Sequence, residues 1–249
     1  MEILEKYFDK YGLNARVKPA FFLVFPVVLS VVAWFETSRT WGGVIITFMF
    51  SFGIFSFAAN QMSTKGNILQ EKLFEKWGGA ATTIILRHSD SRLDKYTKAR
   101  YMEKLATLIS NFKPVSFEQE QADPQNADEM YRTATLYLKE QTRDKIKYPL
   151  VLQENISYGF SRNIRAFKTL GVFSTLLCLA ASSYLTWNRY IKGADKALEE
   201  VVLSVPFIYI GLLICLLFTV FIWIFLVTEK WVEIRAFAYA KALFRSCDQ

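Results

Sequence analysis

The hydrophobic positions of this chain lie in long blocks separated by polar segments, and four of these blocks contain no charged residue. A helix rises about 1.5 Å per residue, so roughly 20 apolar residues cross a hydrocarbon core of about 30 Å. The blocks therefore predict four transmembrane helices. They occupy residues 19–35, 41–59, 169–187 and 201–228.

The spacing of the blocks predicts two helical hairpins, because only a short link joins the members of each pair. A long polar insert without strand-like alternation separates the pairs. We expect an all-α integral membrane protein with an α-helical cytosolic domain inserted between transmembrane helices 2 and 3. The predicted parts are a cytosolic amino-terminal segment (1–18), a transmembrane hairpin (19–59), a cytosolic helical domain (60–168), a second transmembrane hairpin (169–228) and a cytosolic tail (229–249).

Helix start and stop signals divide the insert into several helices. The second block continues as a helix to the run Trp77-Gly78-Gly79, where paired glycines end it. Asp94 is placed to cap a following helix, and the pair Asp123-Pro124 opens the next one. No breaker lies between Glu154 and the third block, so we expect one long helix from the insert into the membrane.

Composition and charge exclude two classes of protein and orient the chain. A chain that is 52% hydrophobic is not intrinsically disordered, and three cysteines do not make a disulfide scaffold. Of the 30 Lys and Arg residues, 26 precede residue 21, lie in 60–168 or follow residue 228. The positive-inside rule therefore places both termini and the insert in the cytoplasm.

Small and hydroxyl-bearing residues recur four positions apart in the spans and suggest either close helix packing or a pore lining. The third block has the most hydroxyls, and its pore-lining candidates are Ser174, Cys178 and Ser182. In the Phe-rich second block, Phe52 and Phe55 are candidates for a hydrophobic gate that closes by dewetting, with simple packing as the alternative. No Asp, Glu, Lys, Arg or His lies within a block, which argues against an ion-coupled transporter.

A basic group stands out in the insert and has three interpretations. It is a solvated face with salt bridges, a surface for anionic lipid, or a site for a phosphate-bearing ligand such as a nucleotide or short oligonucleotide. The candidate ligand-binding residues are Arg87, Arg92, Lys95, Lys98 and Arg100. Arg162, Arg165 and Lys168 lie within about two turns of the third block and are predicted membrane-interface residues.

Catalytic chemistry is not predicted. His88 is the single histidine and gives no ligand set with metal spacing, so neither a metal nor another cofactor is expected. No phosphate-binding glycine loop or nucleophile elbow occurs. We therefore expect a protein that is not an enzyme.

A pattern in uncharacterised bacterial membrane proteins resembles three runs of this sequence: Trp77-Gly78-Gly79-Ala80-Ala81-Thr82-Thr83, Leu86-Arg87-His88-Ser89-Asp90 and Lys98-Ala99-Arg100-Tyr101. The layout of four spans around a helical cytosolic domain is similar to membrane effectors of bacterial anti-phage systems of the Hailong or Kiwa type. The resemblance implies a homo-oligomer in the bacterial inner membrane and, for the Hailong type, a channel held shut by a short DNA ligand. It assigns no role to an individual residue.

Two functions from different classes follow as hypotheses. The first is a homo-oligomeric channel or pore-forming effector of antiviral defence, gated by its cytosolic domain through a ligand or partner. The alternative is a non-conducting membrane anchor or sensor that recruits a soluble protein partner. Both functions require the lipid bilayer, and both are compatible with charge-free spans.

Overall fold

The computed structural model describes residues 9–36, 40–192, 200 and 204–249, without the side chains of 41, 42, 44–52, 54 and 55. Its elements are helices, and no β-strand occurs among the described residues, which confirms the all-α prediction. In chain order the helices are α1 (Lys10–Trp34), α2 (Trp41–Trp77), α3 (Ala81–Ile84), α4 (Lys95–Leu108), α5 (Phe117–Ala122), α6 (Pro124–Gln141), α7 (Pro149–Ala166), α8 (Lys168–Ile191), α9 (Phe207–Leu226) and α10 (Glu229–Arg245).

Three described helices, α1, α8 and α9, are long and apolar enough to cross a membrane. They correspond to the first, third and fourth hydrophobic blocks, so a membrane location is supported. Residues 41–59 of the second block are helical within α2, but most of their side chains lie outside the described residues. Helix α9 begins at Phe207, later than expected, because Pro206 has extended backbone angles at its N-cap.

The chain divides into two compact units. We call Met1–Gly66 and Asn163–Thr228 the membrane unit, and Asn67–Arg162 and Glu229–Gln249 the head unit. The amino-terminal half of α2 and all of α1, α8 and α9 belong to the membrane unit. Helices α3 to α6, most of α7 and α10 belong to the head unit.

In the membrane unit, α1, α8 and α9 pack pairwise against one another. Ala33, Leu212 and Leu216 are buried together, with Leu29 and Cys178 packed around them. Each of these three helices also contains one π-turn, in which an extra residue frees a backbone carbonyl for another donor. The π-turns are Leu13–Val17, Trp187–Ile191 and Ile222–Leu226.

The head unit has its own hydrophobic core, and α10 is part of it. Val232, Phe237 and Leu243 of α10 are buried in the same cluster as Tyr131 of α6 and Leu105 of α4. Residues 229–249, which were predicted as a cytosolic tail, contribute α10 to the core of this unit. The physical reason is a continuous apolar face along α10, which would otherwise be exposed to water.

The helix boundaries at Trp77, Asp94 and Pro124 follow the sequence signals. Helix α2 ends at Trp77, followed by positive φ values of 80° and 148° at Gly78 and Gly79, and Asp94 caps α4 as predicted. The expected unbroken helix into the third block is interrupted, because Phe167 leaves helical geometry with φ −103° and ψ 8°. Phe167 is neither glycine nor proline, so no local signal marks this break.

Candidate functional site

A cleft of about 530 Å³ lies in the head unit, where the turn after α3 faces the first half of α4. Asp94 forms one edge by capping α4, its carboxylate accepting hydrogen bonds from the backbone N–H groups of Tyr96 and Thr97. The lining combines apolar side chains with charged ones. The lining residues are Leu86, His88, Asp90, Ser91, Leu93, Asp94, Lys95, Lys98, Ala99, Met102, Glu103, Pro114 and Val115.

Lys98 is the buried cation of this cleft, with 8% of its surface exposed. Its ammonium donates to the backbone carbonyl of Arg87 at 2.6 Å and to that of Asp90. Burial lowers the pKa of Lys98, while the nearby charges of Asp90 and Glu120 oppose that shift. Lys98 thus holds the turn between α3 and α4 in place through two carbonyl groups.

The arginines of the predicted basic group are engaged with carboxylates from different elements. Arg87 forms a bidentate pair with Asp128, at 2.9 Å from Nε and 2.6 Å from a terminal nitrogen. That hydrogen bond raises the pKa of Arg87. Arg100 binds Asp248 at 3.0 Å. The two guanidiniums therefore bind different carboxylates and do not form one shared site.

The remaining two members of the group also have local contacts. Arg92 pairs with Asp90 and with Glu233 of α10, and its guanidinium lies 3.8 Å from the centre of the Phe237 ring. The Lys95 ammonium lies 5.0 Å from the centre of the Tyr96 ring. Of the five residues in the predicted basic group, Lys95 and Lys98 line the cleft, and the three arginines are not among its lining residues.

The charge balance of the cleft bears on its chemistry. Asp90, Asp94 and Glu103 supply three carboxylates beside the two lysines. A polyphosphate in this cleft would meet repulsion from these carboxylates. A lining that mixes apolar and charged side chains suits a small amphipathic molecule or a peptide side chain.

His88 has a structural arrangement at the cleft edge. Its Nε2 lies 2.9 Å from the backbone carbonyl of Val115, and its backbone N–H donates to both carboxylate oxygens of Glu120 at 3.0 Å. Glu120 also accepts a hydrogen bond from the Tyr131 hydroxyl at 2.5 Å. Among the described residues, no group of His, Cys, Asp and Glu is placed to hold a metal ion.

Sequence reasoning missed the carboxylates that define this region. Asp128 on α6, Glu233 on α10 and Asp248 in the turn after α10 are distant in sequence from the arginines they bind. The apolar spacing of Val232, Ala236 and Ala240 on α10 is a signal that could have placed this helix in the core.

The pore-lining candidates occupy different environments in the membrane unit. Ser182 is buried, and its hydroxyl accepts a hydrogen bond from Trp34 Nε1 at 3.2 Å. Ser174 donates to the carbonyl of Gly171 of its own helix, and Cys178 packs beside the buried cluster of Ala33. In a single chain, these contacts are those of close helix packing.

The gate candidates Phe52 and Phe55 lie on α2 in the stretch whose side chains fall outside the described residues. Their backbone is helical, and the same helix continues through the polar residues that follow residue 59. Their role as a gate stays a prediction.

The three predicted membrane-interface residues do not lie in one environment. Arg162 belongs to the head unit, is buried, and donates to Gln70 Oε1 at 2.6 Å. Arg165 and Lys168 belong to the membrane unit and are partly buried. The Lys168 ammonium donates to the carbonyls of Ile224 and Val227, at 2.8 and 3.0 Å, beside the π-turn of α9.

No protein-family model, curated protein or solved structure matches this chain.

Proposed function

We propose that the protein is a homo-oligomeric membrane channel or pore-forming effector that is gated by its head unit. In this proposal, residues 41–59 of α2 also span the membrane, so that the protein has four spans together with α1, α8 and α9. The membrane is a bacterial inner membrane, and the head unit and both termini lie on its cytoplasmic side. A role in anti-phage defence belongs to the same proposal and depends on the resemblance in layout.

The observation that carries the proposal is how the chain passes between its two units. Helix α2 crosses the unit boundary after Gly66 and α7 crosses it after Arg162, each without a break, and Val227 and Thr228 separate α9 from α10. Within the membrane unit, Phe167 alone separates α7 from α8. These passages contain no long flexible linker. A conformational change in the head unit upon binding would therefore reach the spans through helical backbone.

Apolar side chains on the membrane unit support the oligomer. Phe173, Leu217 and Phe221 are each about half or more exposed in the single chain. Such residues contact lipid or neighbouring subunits. A pore from four-helix subunits needs several copies around an axis.

The gating ligand is proposed to bind the cleft of the head unit. Its three carboxylates favour an amphipathic molecule or a partner's side chain over a polyanion. A nucleotide or short oligonucleotide is the competing ligand, because the resemblance in layout implies it. Absorbance at 260 nm distinguishes it from an amphipathic molecule without a nucleobase.

The test is ionic current across planar bilayers that contain the purified full-length protein. We expect discrete current steps and a mass in detergent of several chains. A co-purified ligand with excess absorbance at 260 nm would favour the nucleotide. Silent bilayers, with and without ligands extracted from the purified protein, would contradict the channel.

Gating through the helical passages is tested by inserting Gly-Ser-Gly after Phe167. The insertion should abolish the response of the current to ligand and leave the oligomer intact. The matched control is the same insertion after Asn111, an exposed residue between α4 and α5 with a φ of 62°. An unchanged ligand response in the Phe167 insertion would contradict transmission through α7 and α8.

One observation favours the alternative of an anchor or sensor that recruits a soluble protein. Ile146 of the head unit is 92% exposed between Lys145 and Lys147, and a large apolar side chain at such a position is suited to a protein contact. A stable complex with the product of a neighbouring gene, lost in Ile146→Asp, together with absent current, would establish this function instead.

A further inference from the structure

Positive charge accumulates at one border of the apolar spans. Within the described residues 9–20, 60–66 and 163–168, the single carboxylate is Asp9, which accepts a hydrogen bond from the Gly12 N–H at 2.6 Å. The bases in the same ranges are Lys10, Arg16, Lys18, Lys65, Arg165 and Lys168. These residues leave a net positive charge next to the hydrocarbon region.

A hydrogen bond joins the two segments that carry Arg16 and Arg165. Asn163 Nδ2 donates to the backbone carbonyl of Ala15 at 2.6 Å, and both residues are buried. Ala15 lies in the π-turn of α1, so the bond ties this turn to the end of α7. Arg16 follows Ala15 directly and Arg165 follows Asn163 by two residues. Arg16 and Arg165 therefore belong to the two segments that meet at one junction between α1 and α7.

Arg16 has an unsatisfied donor at this junction. Its Nε is buried and has no hydrogen-bond partner among the described residues. The guanidinium carbon lies 5.8 Å from the centre of the Tyr11 ring, which is not a hydrogen bond. A buried donor without an acceptor is unfavourable, so Arg16 would gain from an acceptor supplied at this junction. Lys168 differs, because its ammonium binds two carbonyls.

Both arginines lie at the depth of lipid headgroups if α1 and α8 span the bilayer. Arg16 precedes the first apolar block by three residues and Arg165 precedes the third block by four. At about 1.5 Å per residue, these separations correspond to roughly 5–6 Å from the edge of the hydrocarbon core.

We propose that Arg16 and Arg165 bind the phosphate of an anionic phospholipid at the junction of α1 and α7, with Lys18 as an additional cation. A guanidinium offers paired N–H donors that match phosphate oxygens, and the site lies where such a phosphate resides. Basic pockets between spans bind anionic headgroups in the same way. The site requires the spans but not ion conduction, so it stands apart from the proposed channel function.

The test measures the affinity of full-length protein in neutral detergent for short-chain phosphatidylglycerol, by native mass spectrometry and by the rise in unfolding temperature. The binding is measured in about 0.3 M salt, which screens long-range electrostatic attraction between the protein and the lipid. We expect phosphatidylglycerol, but not phosphatidylcholine, to bind and stabilise. Arg16→Gln combined with Arg165→Gln should weaken phosphatidylglycerol binding about thirtyfold, from the contribution of two basic residues at a membrane surface.

The matched control combines Lys10→Gln with Lys65→Gln, which removes the same charge from the same border outside the junction. It should retain affinity within about threefold. Equal losses in the two double variants would overturn the site in favour of diffuse surface charge. Soluble glycerophosphate stabilising as strongly as the lipid would show a free-phosphate site and overturn the lipid assignment.

A folding defect in the double variant is addressed by a conservative change. Arg16→Lys keeps the charge but loses the paired donors, and it should weaken phosphatidylglycerol binding with an unchanged unfolding temperature in phosphatidylcholine. Wild-type affinity in Arg16→Lys would show that the paired donors do not contact the phosphate.

Discussion

The six-membered ring of Trp223 on α9 occupies the space that a side chain at Gly171 on α8 would fill. A Cβ atom built on Gly171 would lie 2.3 Å from Trp223 Cε2 and Cζ2. Trp223 is fully buried, and its ring also lies 5.1 Å from the ring of Phe22 on α1. Gly171 therefore sets the distance between α8 and α9 at the point where α1 also meets them.

Gly171→Ala should lower the stability of the membrane unit by about 1–3 kcal/mol, because a packed indole must move to admit one methyl group. The measurement is the unfolding temperature of the full chain in detergent, with the emission maximum of tryptophan as a second readout. Gly211→Ala on α9 is the control, since its Cβ would meet nothing within 4 Å. Equal behaviour of the two variants would contradict the packing.

The paired hydrogen bonds of Arg87 and Asp128 should stabilise the head unit by about 1.5–3 kcal/mol, as expected for bonds between charged groups that are partly buried. Both side chains are about one-quarter exposed. A double-mutant cycle with Arg87→Ala and Asp128→Ala in the full-length protein measures the coupling. The exposed pair Arg143 and Glu140 serves as the control, with an expected coupling below about 0.5 kcal/mol.

Lys168→Gln should destabilise the end of α9, because it removes a cation from the carbonyls of Ile224 and Val227. A charge near a helix C-terminus contributes about 0.3–1 kcal/mol and the hydrogen bonds add to it, so we expect about 1–2 kcal/mol in total. Hydrogen exchange of residues 222–228 should rise in this variant. Lys65→Gln, an exposed position on α2, should leave exchange in 222–228 unchanged.

The thiol of Cys247 should react slowly in the folded protein. Burial, and next the charge of Asp248, raise the pKa of Cys247 to about 11. At pH 8 the thiolate fraction is then roughly a hundredfold below that of an ordinary thiol, and the rate of labelling by a charged maleimide should fall accordingly. The Cys178→Ala and Cys215→Ala background isolates this thiol, and denaturant should restore the ordinary rate.

The same shift gives a pH dependence of stability. Because the folded-state pKa is higher than the unfolded one, the contribution of Cys247 is present below about pH 9 and is lost as pH rises through about 11. Cys247→Ala should therefore flatten part of the alkaline loss of stability measured for the wild type. Identical alkaline profiles of the two proteins would contradict the raised pKa.

Local signals were sufficient for much of the helical layout. The charge-free blocks identify α1, α8 and α9, and glycine, aspartate and proline mark helix ends at Gly78, Asp94 and Pro124. These features depend on residues within one or two turns, so the sequence displays them directly. The basic group was visible in the same way, as a run of charges near His88.

Tertiary structure decided which of those residues are engaged. The distant carboxylates that bind Arg87, Arg92 and Arg100 are Asp128 of α6, Glu233 of α10 and Asp248 of the turn after α10. Likewise, the break at Phe167 has no glycine or proline to announce it. Local sequence sets the conformation and polarity of each helix, whereas burial and ion pairing depend on neighbours that only the folded chain brings within a few ångströms.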